Sequence, residues 1–164
     1  MRHSETAYLL FGSNLGDRSA QIKVAVSKVL ERAGQLVALS SVYETEPWGF
    51  DHEIPFLNQA MSILTPETPG KLMQMLLSVE KEMGRVRKMG GYQARNLDID
   101  ILLYGIDIIG QQDLVIPHPL LCDRRFALVP LEEIAAGAIH PLMHKSIGEL
   151  LQECKDPGWI RKYA

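Results

Sequence analysis

Between residues 97 and 104, apolar and acidic positions alternate: Leu97, Ile99, Ile101 and Leu103 fall on one side of an extended chain, Asp98 and Asp100 on the other. A period of two predicts a strand that buries one face and shows two carboxylates on the opposite one. Ala7 to Phe11 reads as a first buried strand, ending in the turn Gly12-Ser13-Asn14-Leu15-Gly16-Asp17. Ile22, Ala25, Val26, Val29, Leu30 and Ala33 then recur at helical spacing, and Gly34 follows as a stop signal. Leu36 to Tyr43 and Phe56 to Leu64 read as the second and third strands. A second helix begins at Pro69 after the cap Thr68, with Leu72, Met75, Leu76, Val79 and Met83 as its core stripe and Gly84 as its end. Past the aspartate strand come a turn at Gly105, a short strand from Ile106 to Ile109, and Leu114 to Ile116 to extend it into a ladder. Arg125 to Ala135 is helix-like, and Ser146 to Glu153 is a last short helix with the Ser146/Glu149 spacing of a capping box. The order β-α-β-β-α-β predicts an α+β, ferredoxin-like sandwich with a mostly antiparallel sheet, helices packed on it and additions at the C-terminal end.

At 164 residues the chain fits one domain, 1–164, large enough to bury a core without disulfides or metal. No apolar run approaches a membrane span, and the polar stretch from Met1 to Thr6 offers too little for a signal peptide. A net charge of −3 argues against an extended nucleic-acid surface. Cys122 and Cys154 form no Cys-x-x-Cys pair, so a zinc site or disulfide framework has little support and the reducing cytoplasm is the expected location.

Positive charge is instead local: Gly84-Arg85-Val86-Arg87-Lys88 leads to Arg95, directly before the aspartate strand. A lone Asp-x-Asp also suits an exposed strand face. Beside arginines that fit phosphate oxygens, two carboxylates sharing one face point to a hard cation such as Mg²⁺ and to phosphoryl transfer. The stretch Thr45 to Pro55 carries two large aromatics, Trp48 and Phe50, with no core stripe to join, as a loop covering a flat ligand would. Gly12 to Gly16 lacks the Gly-Lys-Ser/Thr ending of a P-loop and is read as a structural turn. His140 and His144, with Pro141 between them, are read as loop residues and not zinc ligands, and Met73, Met75, Met83 and Met89 as core filling and loop.

Six segments occur together in one order: Gly12-Ser13-Asn14-Leu15-Gly16, Tyr43-Glu44-Thr45-Glu46-Pro47-Trp48-Gly49, Phe56-Leu57-Asn58, Gly84-Arg85-Val86-Arg87, Leu97-Asp98-Ile99-Asp100-Ile101-Leu102 and Ile116-Pro117-His118-Pro119. In this the chain resembles the 6-hydroxymethyl-7,8-dihydropterin pyrophosphokinase family, from about Ala7 to about Leu151. The resemblance implies transfer of pyrophosphate from MgATP to the hydroxymethyl group of the pterin, releasing AMP, as a step of folate biosynthesis. It implies that Asp98 and Asp100 bind two Mg²⁺ ions. Thr45, Pro47, Trp48, Phe56, Asn58 and Phe126 would line the pterin pocket. Glu80, Arg87, Lys88, Tyr92, Ile101, His118 and Arg124 would meet the nucleotide, with Arg85 and Arg95 as catalytic cations. The implied partners are the two small-molecule substrates, with no nucleic acid or membrane, and a monomer is expected. The chain departs from the family's habit at Gln93-Ala94-Arg95-Asn96, where Gly-Pro-Arg-Thr is frequent, and at Asp113 and Arg125.

Such a transfer needs alignment and charge neutralisation more than covalent catalysis, and no general base beyond the aspartates is evident. The cations and glycines between Arg85 and Asn96 predict a loop that closes over bound triphosphate. A nucleotidyltransferase could also use Asp-x-Asp, but would release pyrophosphate in place of AMP. A ferredoxin-like RNA-binding module would carry stacking aromatics and basic residues where this sheet carries aspartates.

Overall fold

The computed structural model describes residues 3–50, 53–84 and 96–163. Strand β1 (Glu5–Ser13) leads to α1 (Arg18–Arg32), then β2 (Gln35–Leu39), β3 (Tyr43–Thr45), β4 (Phe56–Thr65), α2 (Pro69–Glu82) and β5 (Asp98–Tyr104). There follow β6 (Ile109–Gln111), β7 (Leu114–Ile116), a 3₁₀ turn at Leu121–Asp123, α3 (Arg125–Ala135), β8 (Ile139–His140), β9 (Lys145–Ser146), α4 (Ile147–Glu153) and β10 (Ile160–Lys162). The main sheet is antiparallel and runs β10-β3-β4-β1-β5, with β2 also on β4; β6-β7 and β8-β9 form two small ladders. Counting β2 and β3 as one interrupted strand, the sheet order is fourth, first, third, second, the order of the ferredoxin-like sandwich that the sequence predicts.

Alternation along the strands divides the core in two. Leu9, Phe11, Leu57, Met61, Ile99 and Ile101 face α1 and α2, where Ile22, Val29, Leu72 and Leu76 meet them. Leu10 and Ala60 face the opposite way, onto Leu128 and Leu131 of α3 and Leu150 of α4; Leu103, expected on the side of Ile101, joins them because the register shift between Tyr8 and Leu9 leaves Leu102 as an extra residue in β5. The C-terminal additions therefore cover the sheet face that carries Asp98 and Asp100.

The helix signals act as read. Thr68 accepts from the Lys71 amide ahead of Pro69, and Ser146 and Glu149 form a full capping box. Asp17 closes the first turn by capping α1 through the Ala20 amide (3.1 Å). Gly34 does more than stop a helix: a Cβ there would lie 2.4 Å from the Leu64 carbonyl oxygen, so only glycine lets the chain cross β4 at that point.

Two expected elements differ. The single strand Leu36 to Tyr43 breaks into β2 and β3 at Ser40 and Ser41. Ser40 Oγ accepts from the Ala60 amide (2.9 Å), the Gln59 amide group bonds the Ser40 carbonyl (2.7 Å), and Glu133 takes the Ser41 N–H (2.6 Å), so side chains replace the ladder locally. The short strand expected over Ile106 to Ile109 begins only at Ile109, because residues 105–108 form the turn, leaving Ile106 78% exposed.

Candidate active site

Antiparallel registry aligns side chains on one face of the sheet. Asp98 stands opposite Gly12, Gly12 opposite Asn58, and Asn58 opposite Tyr43. The next row brings Asp100 beside Leu10 and Leu10 beside Ala60. Asp98 and Asn58 thus sit two strands apart, about 10 Å at ordinary strand spacing. Both aspartates are partly exposed, while Leu97, Ile99 and Ile101 are buried on the other face.

At the Asn58 end lies a cleft of about 420 Å³ lined by Gly12, Thr45, Glu46, Trp48, Phe50, Phe56, Asn58, Arg124 and Phe126. Thr45 and Phe56 are registry partners at the strand ends. Phe56 meets Phe50 edge-on (6.1 Å between centroids), and Trp48 meets Phe126 in the same manner (6.4 Å). Buried Asn58 donates Nδ2–H to Thr45 Oγ1 (2.8 Å), which turns its Oδ1 toward Gly12. A Cβ on Gly12 would lie 3.0 Å from that oxygen, so the missing side chain keeps the cleft floor open. Asn58 offers an acceptor and Thr45 a hydroxyl to a flat ligand with N–H groups.

At the Asp98 end, His118 arrives on the segment after β7, whose backbone bonds β5 through His118 N–H and the Leu102 carbonyl (3.0 Å). His118 Nδ1 accepts from the Leu120 amide (3.2 Å), so the neutral ring carries its proton on Nε2. Burial, with Arg124 adding to it and Asp98 opposing, pushes the imidazole down to about 4, so the ring is a neutral donor at physiological pH. Glu80, buried on α2, accepts from the Ile99 amide (2.8 Å), the peptide between the two aspartates.

The expected site residues distribute as follows. Thr45, Trp48, Phe56, Asn58 and Phe126 come together in the cleft, while Pro47 borders a neighbouring one. Arg124, expected toward the nucleotide, lies over the Trp48 ring (4.7 Å) and the Phe126 ring (5.4 Å), at the seam between the two ends. Glu80 braces the aspartate strand, and the Ile101 side chain is in the core, leaving only its backbone to meet a ligand. Arg85, Arg87, Lys88, Tyr92 and Arg95, and with them the closing loop, lie outside the described residues. Gly12, Glu46 and Phe50 are cleft residues that the expected pterin set did not include. The sequence assigns Gly12 to a structural turn; its registry with Asn58 and Asp98 is the signal that places it in the cleft. His140, expected in a loop, instead ends the two-residue strand β8, and its Nδ1 accepts from the Leu142 and Met143 amides (3.2 and 3.1 Å) of the turn that follows.

Among the described residues no three His, Cys, Asp or Glu side chains gather as a metal cluster, and no helix is long and apolar enough to cross a membrane. Two carboxylates on one strand nevertheless match the donor set of Mg²⁺, which takes one or two protein carboxylates and completes its shell with waters and phosphates.

An antiparallel α+β sandwich with paired carboxylates at one end of a sheet row and an aromatic cleft with an amide at the other has the layout of a phosphoryl-type transferase acting on a flat polar acceptor. The model of the 7,8-dihydro-6-hydroxymethylpterin-pyrophosphokinase (HPPK) family matches residues 8–136. The 2-amino-4-hydroxy-6-hydroxymethyldihydropteridine pyrophosphokinase of Porphyromonas gingivalis is 39% identical over 137 residues, 82% of this chain and 92% of that protein. The folic acid synthesis protein fol1 of Pneumocystis carinii is 35% identical over 153 residues, 93% of this chain but 20% of that protein. A crystal structure of HPPK-DHPS in complex with substrates aligns at a TM-score of 0.72 and 15% identity; 92% of this chain spans 43% of that one, which speaks to the fold alone. The chain belongs to the HPPK family. It is a pyrophosphokinase acting on 6-hydroxymethyl-7,8-dihydropterin in folate biosynthesis.

Proposed function

We propose that the aromatic cleft is the pterin site, that Asp98 and Asp100 hold two Mg²⁺ ions with ATP as co-substrate, and that pyrophosphate passes between the two ends of the row, leaving AMP. The observation that carries this reading is the registry Asp98–Gly12–Asn58, which sets a carboxylate and an amide on one face with a side-chain-free residue between them. A ring bound at Asn58 would send its hydroxymethyl arm across Gly12 toward the aspartates. Phe56 and Phe126 would cover the ring faces, and Asn58 Oδ1 would accept from its N–H edge. Trp48 closes that wall, and Arg124, stacked on it, holds a positive charge where a phosphate chain would pass. His118 would donate Nε2–H to a phosphate oxygen without adding a charge that must later be released. Glu80 orients the strand between the ligands by holding the Ile99 amide. Bound Mg²⁺ would neutralise phosphate charge and orient the triphosphate. From sequence alone, Arg85 and Arg95 would supply the remaining charge on the transferring group.

Binding measurements on separate variants test the reading. Asn58→Ala should weaken the pterin and spare ATP, whereas Asp100→Ala should abolish turnover and spare the pterin. Equal weakening of both ligands by Asn58→Ala would return that residue to a structural role.

A further inference from the structure

The helix that carries Phe126 does not cap itself. Arg124 occupies the N-cap position of α3 and makes no side-chain capping bond. The first amide of the helix, Arg125 N–H, is instead taken by Asp156 Oδ2 (3.1 Å), 31 residues later in the chain. Asp156 Oδ1 meanwhile accepts from Gly158 N–H (2.9 Å) and turns the chain back toward β3. The next amide, Trp159 N–H, donates to Glu46 Oε1 (3.1 Å), directly before Pro47 and Trp48. β10 then pairs with β3, Ile160 opposite Thr45 and Arg161 opposite Glu44, where Arg161 Nη2 reaches the Glu44 carboxylate at 2.6 Å. One short segment therefore grips both walls of the cleft, the Phe126 helix at its start and the Trp48 loop at its root.

We propose that residues 156–162 are a positioning strap that fixes the separation of the Trp48 and Phe126 walls and thereby tunes pterin affinity, with Asp156 as its key positioning residue. This rests on reading the cleft as the pterin site. Asp156 does not line that cleft; it borders a neighbouring one of about 460 Å³ that shares Trp48 and Phe126 as a common partition. Loss of its carboxylate frees the α3 amide and the strap's turn together, so the partition loosens while the aspartate strand, on the far side of β1, keeps its setting.

Steady-state kinetics of the full chain test this. Asp156→Ala should raise the KM for the pterin about five- to tenfold, the scale of a lost cap, with the KM for ATP and kcat within about twofold of the parent. Asp156→Asn, which keeps one carbonyl acceptor, should fall between, and it supplies the same comparison if the alanine variant does not fold. Phe126→Ala, measured in parallel, separates the two readings. If it leaves the pterin KM unchanged, the cleft assignment fails. If it raises that KM while Asp156→Ala does not, the strap alone is overturned. An equal rise in both KM values, or a fall in kcat alone, also overturns the strap.

Discussion

Asn58 can serve a ligand because Thr45 occupies its donor side: Nδ2–H is committed to Thr45 Oγ1, and Oδ1 is left facing the cleft over Gly12. Asn58→Ala removes the acceptor and should cost about 1–3 kcal/mol of pterin affinity with ATP affinity unchanged, read by calorimetry. Thr45→Val should act in the same direction and more weakly, since the amide remains but is no longer fixed. Gly12→Ala places a methyl carbon 3.0 Å from Oδ1 and should lower pterin affinity while the melting temperature stays near that of the parent. Phe56 and Asn58 were legible as a pair because strand alternation sets them on one face, and the aspartates for the same reason. Gly12 was not, since its contribution is an absent side chain. Glu80 and Ile101 were legible by motif position alone, and packing adds that the one holds the Ile99 amide while the side chain of the other fills the core.

At the scale of elements, β3 is secured little by its own length. Three residues pair with β4 on one side and β10 on the other, and side chains complete the attachment. Tyr43 donates its hydroxyl to Glu133 of α3. Burial first, then that bond and the negative charges of Glu133 and Glu132, push the phenol up to about 12. The folded state keeps the proton that the unfolded chain releases near pH 10, so this contribution is whole below pH 10 and is lost as pH rises toward 12. Tyr43→Phe should destabilise the protein by about 1 kcal/mol at neutral pH, and the difference from the parent should shrink across that alkaline interval in urea titrations. Glu44 works at the other limb. Its carboxyl is held below the usual range, chiefly by the Arg161 hydrogen bond and also by Arg18 against the opposing effect of burial. Its stabilisation is present above its ordinary value of 4.5 and is lost as pH falls through the lowered one. Arg161→Ala should bring the onset of acid unfolding to higher pH. The helices and their caps were legible because Thr68, Pro69, Ser146 and Glu149 act within a single turn. The break at Ser40 and the strand β10 were not: one depends on Gln59, Ala60 and Glu133, and the other is three residues whose pairing is a matter of backbone geometry across more than a hundred positions.

For the whole molecule, the βαββαβ sandwich gives one sheet face to the core under α1 and α2, and the other to α3, α4 and the row that carries Asp98, Gly12 and Asn58. On the proposed reading, the sheet row would set how far apart the two substrates bind, and the C-terminal additions would shape the walls of the acceptor's site. Asp98 and Asp100 are proposed to serve the phosphate donor and to take no part in holding the pterin. Asp98→Ala tests it most directly, with AMP release from ATP, Mg²⁺ and 6-hydroxymethyl-7,8-dihydropterin measured beside the pterin dissociation constant of the same preparation. AMP release should fall by about a hundredfold or more, the scale of lost transition-state charge stabilisation, with the pterin constant within about twofold of the parent. Near-parental AMP release, or a loss of pterin binding that parallels the loss of turnover, would contradict it.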